Sequence, residues 1–413
     1  MAALTGVRKV VYDAYRALPA PVRSLPETVL RVRAATGVRR QPWFAAEPPD
    51  RWLLGPLNTA GQAAAWARAA RAHAGAQALS LSVERIAAGA GALGYATEVH
   101  LDRGMQLRGT SAHRDRVLGR GVPGATGVLA ESGRPVLGDF FGATILDDLP
   151  VLEGAGIRTA LLVHGSEMRD LREHAGRDPH SPFRGRWDDR FEALQALVDR
   201  TREVVEAFPG PVLVPTLDML EAVPGAHLLP ITTDVDLFTT DDPALRRPVP
   251  VVLHAPTNPR LKGSDVVDPV LARLHDEGRI LYRRLTGVPH AQMPQLVAGA
   301  DVVVDQIALG NVATLAAETM AAGRLVVGHV TDAVRTRARE LSAGGNDLPV
   351  VEADPTSFED VLREIVARPE AYRDVAAAGP AWAREHHDGR RAAQVLSEVL
   401  GGPTNGDGAT APD

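Results

Sequence analysis

The chain has 413 residues, a net charge of -6 and no cysteine. This length exceeds the size at which one hydrophobic core usually keeps growing, so we expect two domains. The dispersed negative charge argues against a nucleic-acid partner, and the lack of cysteine excludes disulfides, thiolate nucleophiles and cysteine-ligated zinc. The sequence contains no membrane-spanning apolar run and no signal-peptide pattern, so we expect a soluble, cytoplasmic protein.

Residues 1–50 form a basic extension before the first predicted strand. Residues 1–40 carry eight basic side chains against two acidic ones, with apolar residues near helical spacing. One interpretation is a helical extension packed on its own domain and cut short by prolines. The other is a basic amphipathic helix that makes peripheral contact with the anionic inner face of a membrane.

The first half of the chain alternates predicted strands and helices, which indicates a parallel sheet flanked by helices. A strand at 51–55 is followed by a small-residue loop and an alanine-rich helix. Gly61 in this loop is a candidate ligand contact, although a tight turn explains a glycine there equally well. Further strands are predicted at 78–83, 95–101, 159–163 and 211–214, and helices at 143–154 and 190–208.

His164 and Glu167 directly follow the predicted strand at 159–163. Ligands of open parallel sheets lie beyond the carboxyl ends of the strands, so both side chains are candidates to reach a substrate. The alternative is a histidine at the sheet edge beside a solvated glutamate.

Two short motifs match ligand sites by their letters only. Gly-x-Gly-x-x-Gly at 89–94 resembles the dinucleotide fingerprint, but the residues after it read as a strand where the fingerprint needs a helix. Asp-Val-Asp at 234–236 resembles the metal-binding motif of sugar transferases, but it falls in the predicted linker. We therefore expect no dinucleotide and no metal at these motifs.

A polar, proline-bounded stretch separates a first domain at 51–238 from a second domain at 239–380. The second half again alternates strands and helices, with strands at 249–254, 279–282, 301–304 and 325–327. A last helix is predicted over 382–400, followed by a disordered tail at 401–413.

Two anion-binding features follow strands of the second domain. Arg260 and Lys262, one of only two lysines in the chain, lie in a proline-restricted loop and can converge on a diphosphate. Small residues precede the helix predicted at 313–322, whose free amides and positive end suit the same phosphates. These residues are Gly310, Asn311, Val312, Ala313 and Thr314. Glu318, one turn into that helix, can accept hydrogen bonds from ribose hydroxyls.

A family resemblance rests on two stretches, His254-Ala-Pro-Thr…Lys262-Gly263 and Asp305-Gln306…Gly310…Glu318-Thr-Met-Ala-Ala-Gly323. They resemble the carboxyl-terminal domain of GT-B glycosyltransferases of the family 4 type. The resemblance implies an α/β fold of two Rossmann-like, doubly wound parallel-sheet domains facing across a cleft, with a C-terminal helix at 381–400 crossing back to the first. It also implies a nucleotide-diphosphate sugar as donor, no essential cofactor or metal, and usually retention at the anomeric carbon.

The resemblance assigns roles to several positions. Arg260 and Lys262 resemble the diphosphate-binding pair, Glu318 resembles the ribose-binding second glutamate of the Glu-x7-Glu motif, and His164 resembles the histidine near the donor sugar. The pattern departs at Gly310, where the family has the first glutamate; Asp305 is the nearest carboxylate in sequence.

These observations lead us to expect a glycosyltransferase with an unidentified acceptor. Retaining transfer can use the leaving phosphate as its base, whereas inversion needs a first-domain base, for which the candidates are His164, Glu167, Asp102 and His113. Two other functions stay open: a nucleotide-sugar epimerase, and a degenerate transferase that serves as a partner subunit.

Overall fold

The architecture is taken from a computed structural model. It describes residues 20–83, 94–138, 142–185 and 187–402. Three features considered above lie wholly or largely outside these residues: the first 19 residues of the extension, the glycine motif up to residue 93, and the tail from residue 403.

The first domain is built on seven parallel strands. They are β1 Arg51–Gly55, β2 Gln77–Val83, β3 Val99–Leu101, β4 Gly127–Glu131, β5 Arg158–Leu162, β6 Val212–Val214 and β7 His227–Leu228. Their order is β3-β2-β1-β4-β5-β6-β7. The helices of this half are α1 Ala20–Arg39, α2 Gln62–Ala69, α3 Arg103–Arg108, α4 Thr110–Val117, α5 Ile145–Gly154, α6 Gly165–Met168, α7 Leu171–Arg177, α8 Asp189–Ala207, α9 Met219–Ala222 and α10 Val235–Phe238.

The second domain is built on five parallel strands. They are β8 Val251–His254, β9 Leu281–Arg284, β10 Val302–Val304, β11 Leu325–Gly328 and β12 Val350–Glu352, in the order β12-β11-β10-β8-β9. The helices are α11 Ser264–Asp276, α12 Met293–Ala298, α13 Thr314–Ala321, α14 Asp332–Leu341, α15 Phe358–Ala367, α16 Arg373–His386 and α17 Arg390–Leu400. Two parallel sheets with helices confirm the predicted fold class.

Both sheets are buried on their two faces, which explains the apolar runs of their central strands. Val302, Val303 and Val304 of β10, for example, are all fully buried. Helix α17 closes one face of the first sheet, where Leu396 and Leu400 pack with residues of β1. Helix α17 therefore does cross back onto the first domain.

The predicted single helix at 382–400 is wrong, because the chain breaks between α16 and α17. Gly389 has a φ of +97°, and a Cβ at this position would lie 2.7 Å from Cβ of Ala69. The backbone oxygen of His387 accepts a hydrogen bond of 2.9 Å from the Thr233 amide. A glycine turn packed on the first domain thus separates the two helices.

The prediction that prolines cut the amino-terminal helix short is also wrong. Helix α1 runs from Ala20 to Arg39 with Pro26 inside it. It packs on α3 and α4, and Val38 is buried in the core of the first domain. This packing outweighs the one hydrogen bond that Pro26 cannot donate. Within the described residues, no helix is long and apolar enough to cross a membrane.

Each sheet reverses its direction of growth once. The chain places β2 and β3 on one side of β1 and β4 on the other; likewise β9 and β10 flank β8. Open α/β sheets bind ligands at such switch points, beyond the carboxyl ends of the strands. The loops after β1, β4, β8 and β10 are therefore where a site is expected.

Candidate functional site

A cavity of about 170 Å³, here named the central cavity, lies between the carboxyl ends of the two sheets. Its walls combine the loop after β1, the segment after β5 and the loop before α13. From the first domain it is lined by Thr59, His164 and Arg169, and from the second by Asn311, Ala313 and Thr314. Four residues predicted from the sequence, His164, Asn311, Ala313 and Thr314, thus meet across the cleft.

The start of α13 presents an anion-binding surface to this cavity. Ala313 precedes the helix with extended backbone angles, and Thr314 is its first residue. The first amides of a helix have no partner within it, and its aligned peptides place partial positive charge at this end. A negatively charged group in the central cavity would therefore be stabilised here. Val312, the remaining predicted loop residue, faces a neighbouring apolar cavity instead.

Lys262 pairs with Asp305 across the switch point between β8 and β10. The Lys262 side chain is 13% exposed and that of Asp305 is 1% exposed. The second carboxylate oxygen of Asp305 is buried without a hydrogen-bond partner. Such an oxygen costs about 1–3 kcal/mol unless a further donor reaches it, so this pair has unused hydrogen-bonding capacity.

Glu318 is buried one turn into α13 and accepts a 2.6 Å hydrogen bond from Nε2 of His290. Burial raises the pKa of Glu318, and the His290 ring opposes this shift. The ring of Tyr95, from the first domain, lies 4.7 Å from that of His290. Burial and the nearby Glu318 charge raise the pKa of Tyr95 to about 12. The charges of Lys262 and Asp305 also act on Glu318, so the predicted ribose residue and one of the two predicted diphosphate cations lie in one cluster.

His164 directly precedes α6 and is 8% exposed. Its Nε2 lies 3.2 Å from Oε1 of Glu131, and the Trp66 ring stacks on it at 6.4 Å. Its backbone amide donates to Oε1 of Glu167 at 2.8 Å. Burial alone would lower the pKa of His164, but the hydrogen bond to Glu131 and the charges of both glutamates leave it raised. The imidazole is therefore held in one orientation and made more basic.

Sequence reasoning missed Glu131, the last residue of β4. Its fully buried carboxylate accepts hydrogen bonds from the amides of Leu57 at 2.9 Å, Asn58 at 2.7 Å and Thr59 at 3.4 Å, besides its contact with His164. One acidic group thus fixes the loop after β1 and the candidate catalytic histidine together. The signal in the sequence was a lone acidic residue ending an apolar strand.

A second missed group connects the two domains. Arg169 pairs with Asp218, and Oδ1 of Asp218 accepts a 2.8 Å hydrogen bond from Nδ2 of Asn311. Burial would raise the pKa of Asp218, but Arg169 and the hydrogen bonds lower it. Gln306 in turn donates to the Asn311 carbonyl at 2.6 Å. The loop before α13 is therefore held from the first domain, by residues too distant in sequence to be linked by a motif.

Gly310, at the start of this loop, lines a polar groove of about 470 Å³. Its φ is +70°, and a Cβ would lie 2.7 Å from Cγ2 of Thr331 and 3.3 Å from Oδ2 of Asp178. Backbone conformation and space therefore both favour glycine over the glutamate of the family pattern. Asp305, suggested as the substitute carboxylate, pairs with Lys262 through one of its oxygens, whereas Asp178 lies where a side chain at 310 would point.

The prediction that Arg260 and Lys262 converge on a diphosphate is wrong for this structure, because the two side chains have different partners. The Arg260 guanidinium binds Oδ2 of Asp188 at 2.6 Å and lies 3.6 Å above the Phe191 ring. Both partners belong to the first domain. An opposite charge and an aromatic face together attract the guanidinium away from the predicted phosphate site.

Gly61 also differs from its predicted role as a ligand contact. Its amide donates to the Asn58 carbonyl at 3.1 Å, and a Cβ would lie 2.4 Å from the Tyr95 ring. With a φ of +75°, Gly61 is required by turn geometry and by Tyr95. Its neighbours Ala60 and Gln62 line the central cavity, but Gly61 does not.

Asp102, His113 and the Asp-Val-Asp motif at 234–236 have structural roles. Asp102 caps α3 through the Met105 amide, at 2.7 Å. His113 is buried, bonded to the Val136 carbonyl at 2.7 Å, and burial lowers its pKa to about 4. Asp234 caps α10, while Asp236 is exposed and pairs with Arg384. Within the described residues no group of His, Asp and Glu side chains is arranged to hold a metal ion.

Solved structures that resemble this chain include glycosyltransferases. The chain resembles HepE of Anabaena in complex with UDP-glucose, at 13% identity over 85% of this chain and 99% of that chain, with a TM-score of 0.53. It resembles sucrose-phosphate synthase of Thermosynechococcus elongatus at 14% identity over 85% and 98%, with a TM-score of 0.54. No protein-family model and no curated protein matches the sequence. The fold is thus the GT-B fold of these enzymes.

Proposed function

We propose that this chain is a glycosyltransferase of the family 4 type that moves a sugar from a nucleotide-diphosphate sugar to an acceptor. The observation that carries the proposal is the central cavity, where His164 meets the start of α13 across the cleft. UDP-glucose is the first donor to test, because the HepE structure was solved with that molecule.

The proposed reaction breaks the bond between the anomeric carbon and the leaving phosphate oxygen. The positive end of α13 and Lys262 stabilise the negative charge that grows on this phosphate. Glu318 accepts hydrogen bonds from the ribose once the nucleotide separates it from His290. Fixed positive groups of the protein supply the electrostatic stabilisation, so the proposal requires no metal.

Retention is the proposed stereochemistry, with the leaving phosphate as base, as the family resemblance implies. Inversion is the second candidate, and the His164–Glu131 pair favours it. A buried imidazole oriented by a carboxylate is the arrangement that general-base catalysis uses. Among the four candidate bases considered from the sequence, His164 alone lines the central cavity.

The test is incubation of the protein with UDP-glucose and an acceptor panel, with product configuration read by NMR. The His164→Ala variant should lose 10²- to 10⁴-fold in turnover if His164 is the general base, and less than about tenfold if the phosphate is. His227→Ala, which changes an exposed histidine of the same domain, is the control. A new sugar isomer formed without acceptor would instead indicate an epimerase. Failure to bind any nucleotide sugar would favour the partner-subunit function.

We also propose peripheral contact with an anionic membrane through α1. Val29, Leu30 and Val32 are 63%, 45% and 61% exposed there, and Arg31 and Arg33 lie between and beside them. Exposed apolar side chains among arginines suit the surface of an anionic bilayer. Sedimentation with phosphatidylglycerol vesicles tests this contact, and equal sedimentation of a Val29→Glu, Val32→Glu variant would refute it.

A further inference from the structure

A second cavity, of about 290 Å³, adjoins the central cavity on the side of α16 and α17. This apolar cavity is close to the lower end of the size range of small-molecule sites. Its walls come from both domains and are mainly aliphatic and aromatic, including Leu217, Leu228, Val334, Leu348, Trp382 and Val395.

One polar group on this wall has an unused hydrogen-bond donor. His386 is 8% exposed and stacks on Trp382 at 4.1 Å. Nη1 of Arg391 lies 3.1 Å from its Nδ1, and a guanidinium can only donate, so Nδ1 accepts and Nε2 carries the proton. Burial lowers the pKa of His386 to about 4, which keeps the ring neutral at pH 7.

Nε2 of His386 is buried and makes no hydrogen bond. The nearest carboxylate oxygen, Oε1 of Glu385, is 3.5 Å away and already accepts from the Ala343 amide and from Arg391. A buried N–H without a partner is unfavourable, so a ligand oxygen that reached Nε2 from the cavity would be stabilised.

The apolar cavity adjoins the proposed site of transfer and shares wall residues with it. Thr216, Ile231, Asn311 and Ala313 line both it and the central cavity. A molecule bound among the apolar side chains can therefore present a hydroxyl to the reacting position.

We propose that the apolar cavity binds the uncharged, apolar part of the acceptor, an aromatic or polycyclic alcohol with an oxygen that accepts from His386. This inference rests on the proposed transferase function. In the reaction, the acceptor hydroxyl oxygen bonds to the anomeric carbon as the bond to the leaving phosphate breaks. The hydroxyl proton passes to that phosphate.

The first test is fluorescence titration with 2-naphthol, an uncharged two-ring alcohol. The full-length protein should bind it, and Ala338→Phe, which fills the cavity from α14, should weaken binding at least tenfold. Ala333→Phe makes the same change on the exposed side of α14 and should bind like the wild type. Absent binding, or equal binding by Ala338→Phe, overturns the proposal.

Ala338 is fully buried, so Ala338→Phe could lose binding through misfolding. A second pair of variants therefore tests the cavity from partly exposed positions. Val395→Trp enters the cavity from a partly exposed position on α17. Val399→Trp makes the same change one turn later, at a residue of similar exposure outside the cavity wall. Only Val395→Trp should lose 2-naphthol, and equal affinities of the two variants refute the site.

A third measurement addresses the hydrogen bond. Naphthalene, which lacks the oxygen, should bind about tenfold more weakly than 2-naphthol to the wild type. In His386→Phe the two affinities should be equal. A preference for 2-naphthol that survives in His386→Phe would remove His386 from the proposed role.

UDP titration separates this inference from the function it rests on. A donor and an acceptor must bind together, so saturating UDP should change 2-naphthol affinity less than threefold; strict competition overturns the acceptor role. Ala338→Phe should bind UDP as the wild type does. Protein that binds 2-naphthol here but no nucleotide would refute the transferase proposal and leave the cavity a binding site.

Discussion

Each half of the site contains a basic side chain paired with a buried carboxylate, but the two pairs differ in how fully their hydrogen bonds are satisfied. Each half sets a cationic or basic side chain against a buried carboxylate at its switch point, His164 against Glu131 and Lys262 against Asp305. Glu131 has its oxygens occupied by three backbone amides and the histidine. Asp305 keeps one buried oxygen without a partner.

This difference indicates that one pair supports the fold and the other acts on the ligand. The first-domain pair is part of the framework, because the same carboxylate holds a loop of the protein in place. The second-domain pair has spare hydrogen-bonding capacity and a lysine close to Glu318, which suits a group that rearranges when a ligand arrives. Substitutions in the first pair should therefore affect stability most, and those in the second should affect turnover.

The largest effect is expected from Glu131→Ala. It leaves the amides of the loop after β1 and the histidine without their acceptor, so the free energy of unfolding should fall by about 3–5 kcal/mol. Urea denaturation measures this loss. Glu153→Ala, at an exposed position on α5, should stay within about 0.5 kcal/mol of the wild type. A similarly small loss for Glu131→Ala would contradict the framework role.

Lys262→Ala should lower turnover by about 10²- to 10³-fold at saturating donor, the usual loss for one charge-stabilising group. Lys262→Ala also leaves the buried Asp305 carboxylate without its cation, which lowers the free energy of unfolding. The double variant Lys262→Ala, Asp305→Asn removes both charges, so it should recover that free energy but not the turnover. Arg279→Ala, which changes an exposed cation of the same domain, is the control. Unchanged turnover of Lys262→Ala would remove this lysine from the mechanism.

The sequence was most informative where neighbouring residues make the structure. Strand and helix alternation predicted both parallel sheets, and the short segment 310–314 before α13 was recognisable because small residues precede a helix. His164 was found because it directly follows a buried strand. These features depend on local spacing, which a single sequence displays.

Partners that come from distant parts of the chain were not predictable. Glu131 and Asp218 contact residues 33 and 93 positions away, His164 and Asn311. Arg260 was placed wrongly for the same reason, since Asp188 and Phe191 reach it from another domain. The glycine at 310, in place of the family's glutamate, is explained by its φ and by the position of Thr331, neither of which the sequence shows.

His329 forms a third ionic group, which includes a carboxylate from the other side of the cleft. His329 lies 2.6 Å from Glu352 and 3.4 Å from Asp178 of the first domain. Burial alone would lower its pKa, but the two carboxylates raise it to about 9. Because the pKa in the folded state exceeds the ordinary value, the stabilisation is complete below about pH 6.5 and disappears as pH rises through about 9.

We therefore expect the unfolding free energy of the wild type to fall by about 2 kcal/mol between pH 6.5 and 9.5, relative to His329→Gln. Urea denaturation across this range measures the difference. His227→Gln, at an exposed histidine, should follow the wild-type curve. Parallel curves for wild type and His329→Gln would show that the group does not stabilise the folded protein.

Glu318→Ala should weaken UDP binding about tenfold, the effect of losing hydrogen bonds to one charged group. Isothermal titration measures this affinity, and Glu340→Ala, an exposed change on α14, serves as the control. Unaltered affinity would count against the ribose role and leave Glu318 as a structural partner of His290.

Arg260→Ala should have the smallest effect, less than threefold on turnover. Its side chain is 43% exposed and pairs with an Asp188 side chain that is 49% exposed, and exposed pairs contribute about 0–1 kcal/mol. Arg190→Ala, at an exposed arginine on α8, is the matched control, and both should be measured with saturating UDP-glucose. A loss of 10²-fold or more would mean that Arg260 leaves Asp188 and Phe191 when the donor binds. Arg260 would then join Lys262 at the diphosphate, and the second-domain half would contain two adjustable cations instead of one.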